Sequence, residues 1–208
     1  VNFFGHLVVA RQLDEDPEFL LGAMAPDLLA ICGARAGAPT SAKVAAGQAH
    51  HVAVDARFHA SPAFTGLAAW GARALVDAGL ARGAARGVAH VGVELLLDGL
   101  LADDRAARAD YARSLAGAEA ARAPFAFDDE LSRERWRALV LRLRAATIPD
   151  AYRDLDFVAA RLAGALARRP RLALGAGHVS VVRAFLPDLA RRVAAAVGAL
   201  MNDEWGAS

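Results

Sequence analysis

Apolar residues recur along this chain at intervals of three and four, and strict alternation is almost absent. Such spacing lines one face of an α-helix, whereas a half-buried strand alternates every two residues. The pattern predicts a helix over roughly residues 2–12 and another around 17–31, with a break or kink at Pro26. The run "GARAGAPTSAK" reads as a loop from its Gly, Pro and Ser content. Helices follow over about 44–59, stopping near Ser61-Pro62, and over about 63–79. The segment 84–115 reads as one long helix or two joined near Asp103. "ARAPFAFDDE" is a connector, with Asp128 or Asp129 placed to cap a helix over about 130–146. "IPD" turns the chain, helices follow at about 150–168 and 178–200, and the tail after Asn202 is expected to fray. No solenoid-length repeat or low-complexity linker interrupts this order. The expectation is an all-α, single-domain helical bundle covering residues 1–208.

Composition narrows the function classes. The chain is 208 residues long and 56% hydrophobic, enough for a sizeable core. Its formal net charge is +1, which gives no bulk electrostatic case for nucleic acid or an anionic membrane. Cys32 is the only cysteine, so an intramolecular disulfide is excluded and a buried apolar role is expected. "FLLGAMAPDLLAICG" is too short, and too interrupted by Pro26-Asp27, to span a bilayer. With no basic stretch and cleavage-type apolar run at the N-terminus, a cytoplasmic protein is expected, of open oligomeric state.

The candidate chemistry lies in two ladders. In "GQAHHVAVDARFH", His51, Asp55 and His59 stand four apart; in "HVGVELLLD", His90, Glu94 and Asp98 repeat the spacing. Residues four apart share a helix face. A carboxylate among Ala, Val and Leu is costly unless it is paired or bound to metal. Imidazole nitrogen with carboxylate oxygen is a usual ligand set for Zn, Mn or Fe. A single such pair is often a solvated helix-face contact, but two in apolar settings favour a metal site. His50 lies about 100° round the helix from His51 and is the weaker partner. Upstream, His6 is either a ligand or a satisfied core histidine, and Asp27 either caps a helix or joins the ligands.

The chain also resembles the acyl-carrier-protein phosphodiesterase family, which is related to the HD-domain phosphohydrolases. Asn2-Phe3 and His6 match an opening "NFLAH" pattern, Gly22 to Asp27 a "GNLLAD" segment, and Gly47, His51 and Asp55 a "GxxxHxxxD" core. Glu94 and Asp98 fall where the family has two aspartates four apart. "YRDLDFVAARLAGALARRPRL", Tyr152 to Leu172, is similar to its "YRDMDF…RRPRL" segment. The resemblance implies a helical fold and a divalent metal, Mn2+ first, with Mg2+, Fe2+ or Zn2+ as alternatives. It implies hydrolysis of the phosphodiester that joins 4′-phosphopantetheine to a carrier-protein serine. The residues carried over are His6, Asp27, His51, Asp55 and Asp98.

The chain departs from the family where Val52-Ala53 replace arginines, His59 and Glu94 replace aspartates, and Gly99 replaces a histidine. These changes create HxxxD plus HxxxE, similar to the zinc-dependent phospholipase C/P1-nuclease pattern. The expected ligand set is then Asp27, His51, Asp55, His59, Glu94 and Asp98, with the two ladders facing one cleft. His6 or His90 would protonate the leaving alkoxide. Arg168, Arg169 and Arg171 of "ARRPRL", with Arg161, would hold phosphate or meet an acidic carrier protein. The rival reading is a non-catalytic helical binding module whose ladders are core hydrogen-bond pairs.

Overall fold

Helical spacing is realised almost throughout the protein. In a computed structural model that describes residues 2–120, 124–146 and 150–201, the chain forms nine α-helices and one two-stranded ladder. The helices are α1 (Phe3–Ala10), α2 (Pro17–Cys32), α3 (Ala42–Ala60), α4 (Pro62–Asp77), α5 (Arg82–Leu101), α6 (Arg105–Ala120), α7 (Glu130–Ala145), α8 (Leu155–Ala167) and α9 (Ala176–Leu200). The turn expected at Ile148-Pro149 and the tail after Asn202 lie outside the described residues.

Local chemistry sets most boundaries. Asp16 caps α2 by accepting from the Glu18 N–H at 2.9 Å, with Pro17 at the first helical position. Gly33, at φ 64°, ends it in the left-handed conformation. Asp129 caps α7 through the Ser132 N–H at 2.6 Å. Between α5 and α6, Asp104 caps the second helix, its Oδ1 accepting from Ala106 and Ala107 at 2.9 and 3.0 Å. Residues 84–115 are therefore two helices, joined beside Asp103. After a 3-10 turn over Asp150–Arg153, Asp154 accepts from the Asp156 N–H at 2.8 Å and starts α8.

Two expectations change. Pro26 does not break α2, which runs unbroken through it. Phe19, Leu20, Leu21, Ala23, Met24, Ala25 and Leu28 are all buried, and that packing outweighs one lost backbone hydrogen bond. Part of the "GARAGAPTSAK" loop is a strand, β1 (Ala36–Pro39), antiparallel to β2 (Phe125–Phe127). Phe125 is buried edge-on against Trp136, with ring centroids 5.6 Å apart, and that contact anchors the ladder.

The described residues divide into two compact units. The first holds residues 2–57, 101–120 and 124–146; the second holds residues 58–100 and 150–201. In the first, α1 packs on α2, and α2 on α6 and α7, around Phe3, Phe4, Leu7, Leu20, Met24 and Trp136. Arg11 ties α1 to α6, donating to Asp110 at 2.9 Å and to Asp104 at 3.1 Å, so the buried Asp110 is paired. In the second, α4 and α8 each pack on α9, and Arg192 lies 4.0 Å over the Trp70 ring. No helix among the described residues is long and apolar enough to cross a membrane.

Within the first unit the backbones of α2 and α3 approach closely at two glycines. A Cβ on Gly47 would lie 2.1 Å from the Phe19 carbonyl oxygen and 2.8 Å from the Ala23 nitrogen. A Cβ on Gly22 would lie 2.3 Å from the Val44 carbonyl oxygen. Backbone cannot yield as a side-chain tip can, so only glycine fits both positions. Gly47→Ala is expected to lower stability by about 3 kcal/mol or more, the upper end of overpacking costs. Gly66→Ala, inside α4 with nothing within 4 Å of its added Cβ, should instead stabilise by about 0.5–1 kcal/mol. Paired denaturant melts check the contrast; equal effects would contradict the close-packing account.

Candidate metal centre

One helical turn beyond the glycine contact, the same faces of α2 and α3 carry polar groups. Asp27 follows Ala23 by four residues, and His51 follows Gly47 by four. Because the backbones touch, the His51 ring reaches across to α2, and its Nδ1 lies 2.8 Å from the Ala23 carbonyl oxygen. A carbonyl can only accept, so Nδ1 carries the proton and the lone pair of neutral His51 is on Nε2. A backbone carbonyl that fixes ring and tautomer in this way is the usual support of a metal-binding histidine. Burial lowers the His51 pKa, and the hydrogen bond to Ala23 and the charge of Asp55 offset only part of that.

The third helix supplies His6. Helix α1 is apolar nearly all round, and His6 is fully buried within it. Its ring stacks on His51, with centroids 3.7 Å apart and planes 26° from parallel. Neither ring nitrogen of His6 has a hydrogen-bond partner. Its Nε2 lies 3.7 Å from an Asp55 oxygen and 4.0 Å from an Asp27 oxygen. Those separations are too long for hydrogen bonds. Donor atoms sharing one ion at about 2.1 Å stand roughly 3.0 Å apart in an octahedron and 3.4 Å in a tetrahedron. The spacing is thus closer to that of co-ligands than of hydrogen-bonded partners. Burial pushes the His6 pKa down to about 3, against the opposing pull of Asp55. His6 is accordingly neutral near pH 7, with a free lone pair.

His6, Asp27 and His51 each offer an atom within 4.8 Å of the others, a set that could hold a metal ion. Asp27 lies inside α2 and is not a helix cap. The Asp27 and Asp55 side chains are 29% and 40% exposed, so the carboxylate side of the group opens to water while the histidine side is dry. His50 stands apart, its ring tilted against Phe19 at 5.7 Å.

The structure divides the first sequence ladder. Eight residues of helix advance about 12 Å, too far for His51 and His59 to meet on one ion. His59 belongs with His90 and Glu94 in the second unit, where ligand-type atoms again lie within 4.8 Å of one another. Asp98 is fully buried on α5, one turn beyond Glu94. Arg161, Arg168, Arg169 and Arg171 are exposed at or after α8. The support from the Ala23 carbonyl and the packing role of Gly22 and Gly47 were not visible in the ligand pattern. Their one signal was two glycines inside predicted helices, each four residues before a special position: Pro26 after Gly22, and His51 after Gly47.

Comparison with protein-family models, curated proteins and solved structures found no match to this chain.

The buried histidine makes stability pH-dependent in metal-free protein. Unfolded His6 titrates near 6.5 and folded His6 near 3, so between those values the unfolded chain binds the extra proton. Stability is then full above about pH 6.5 and falls as pH drops toward 3, by several kcal/mol in all. Chelated protein should show this loss in urea melts across the window, and His6→Leu should flatten it. An unchanged slope in His6→Leu would assign the acid sensitivity to other groups.

Proposed function

We propose that the first unit carries the metal centre of a divalent-metal-dependent phosphodiester hydrolase, with His6, Asp27 and His51 as ligands and Asp55 beside them. The observation that carries this reading is His6. A fully buried imidazole with both nitrogens unbonded forfeits about 1–3 kcal/mol per unmatched polar group. A metal ion held at Nε2 would remove part of that deficit. Mixed imidazole and carboxylate donors suit Mn2+, with Fe2+, Zn2+ or Mg2+ as alternatives.

A divalent ion bound there would lower the pKa of a coordinated water and polarise phosphoryl oxygens. The protein's own groups do the rest. His51, held by Ala23, and His6, held by its apolar helix, fix two donor positions without reorganisation. Asp55, beside the ligands on the open side, would orient the incoming water, take up its proton and return it to the leaving serine oxygen. His6 is kept neutral by burial, so it serves as a ligand and not as the acid for the leaving group. His90, on the second unit with His59 and Glu94, has no proton-donor role in this reading.

The favoured substrate is the 4′-phosphopantetheine phosphodiester of holo acyl carrier protein. The support is the sequence likeness over Tyr152–Leu172, together with the exposed Arg168, Arg169 and Arg171, which suit an acidic partner. The test is turnover of holo carrier protein and a small aryl phosphodiester by metal-stripped protein, resupplied with Mn2+, Mg2+, Fe2+ or Zn2+. Hydrolysis should return only with added ion. Asp27→Asn should lower it by more than about 100-fold, since even groups supporting a ligand contribute 10–100-fold. Full turnover in excess chelator, with the ion shown to be stripped, would contradict the proposal.

A further inference from the structure

The second unit holds a polar group that the hydrolase reading leaves unused. His59 is at the end of α3, His90 and Glu94 are one turn apart on α5, and all three converge on one point. Glu94 Oε1 lies 2.9 Å from His59 Nε2 and 3.5 Å from His90 Nε2. The two imidazoles stack at 4.7 Å with planes 18° apart, so both Nε2 atoms face the same carboxylate oxygen. Phe64 of α4 meets both rings edge-on, at 4.8 Å from His59 and 5.0 Å from His90, and Phe58 meets His59 edge-on at 5.4 Å. Three elements thus fix the rings before any ligand arrives.

A helix-face ion pair explains His90 with Glu94, four residues apart. It does not explain a second histidine from another helix, stacked on the first and aimed at the same oxygen. Glu94 is only 13% exposed, and one of its oxygens lies between two imidazole nitrogens. Two imidazoles and one carboxylate are the three-protein-ligand set of zinc sites that keep an open position. His59 and His90 are 27% and 46% exposed, so the fourth position faces water.

We propose that His59, His90 and Glu94 form a second divalent-cation site that takes Zn2+ or a chemically similar late first-row ion, with its remaining coordination position open to solvent or an exogenous ligand. The site lies wholly within the second unit and does not rest on the hydrolase reading. Occupation frees the Nε2 of His59 from Glu94 for the metal: the neutral ring loses the proton at Nε2 and gains one at Nδ1 through solvent, with no net proton released.

Metal-stripped full-length protein titrated with Zn2+ tests the proposal, by counting bound equivalents and by following histidine ring nitrogens in NMR. Wild type should bind at least one equivalent whose arrival moves the ring signals of His59 and His90, and a second where the first-unit centre is also filled. His90→Ala and Glu94→Gln should each bind one fewer, while His6→Ala should keep the equivalent that moves His59 and His90. The half-exposed His90 can be truncated without opening a core cavity, so its variant decides the matter should Glu94→Gln unfold. Unchanged stoichiometry in folded His90→Ala, or no zinc-dependent shift of the His59 and His90 rings in wild type, would overturn the proposal. An effect of His6→Ala on the other equivalent bears only on the first-unit centre, so the two readings fail separately.

Discussion

The first unit depends on how closely α2 can approach α3. Gly22 and Gly47 present no side chain where the two backbones meet, and any Cβ there would penetrate a carbonyl oxygen. The contact costs helix propensity, roughly 0.5–1 kcal/mol for each mid-helix glycine. In return, His51 comes within 2.8 Å of the Ala23 carbonyl. That single hydrogen bond fixes the ring, the tautomer and the direction of Nε2. Asp27, a turn beyond Ala23, and Asp55, a turn beyond His51, then lie where His6 faces them. A wider crossing would leave His51 without its acceptor and the carboxylates out of reach.

The energetics of this arrangement differ from those of the surrounding core. Elsewhere in the first unit, buried charge is paired: Asp110 is bonded by Arg11 and Arg113. At His6 the protein has put an imidazole in a fully apolar helix and left both nitrogens unmatched. A core histidine serving only packing would be replaced at a gain by leucine or methionine. The cost is understandable if a ligand supplies the missing partner, because pre-paid burial and fixed tautomer raise affinity for an ion. His59, His90 and Glu94 follow a different plan. They satisfy one another through hydrogen bonds and stacking, in a wetter setting, so their geometry persists without a ligand.

The all-α fold was legible because apolar spacing and capping residues act locally. Asp129 and Asp154 cap helices by reaching two or three residues along the chain, which spacing can show. The pairing of Ala36–Pro39 with Phe125–Phe127 was not, because it joins segments far apart through a buried Phe125–Trp136 contact. The break expected at Pro26 is absent for a similar reason: its local penalty is real, but packing around α2 exceeds it. Of the ladder residues, His51 and Asp55 lie near His6 in the first unit, and His59, His90 and Glu94 lie together in the second. Helical rise alone could have shown that His51 and His59 belong apart. Nothing in the spacing showed that His6 would stack on His51 and face Asp27, since these partners come from α3 and α2.

The central claim is that His6, Asp27 and His51 hold a metal ion. Anomalous diffraction from crystals equilibrated with Mn2+, collected on both sides of the manganese edge, tests it most directly. The account predicts an anomalous peak at bonding distance, roughly 2.0–2.3 Å, from His6 Nε2, His51 Nε2 and an Asp27 oxygen. An ordered water or a side-chain hydrogen bond satisfying His6, with no anomalous signal beside it at saturating Mn2+, would contradict the account.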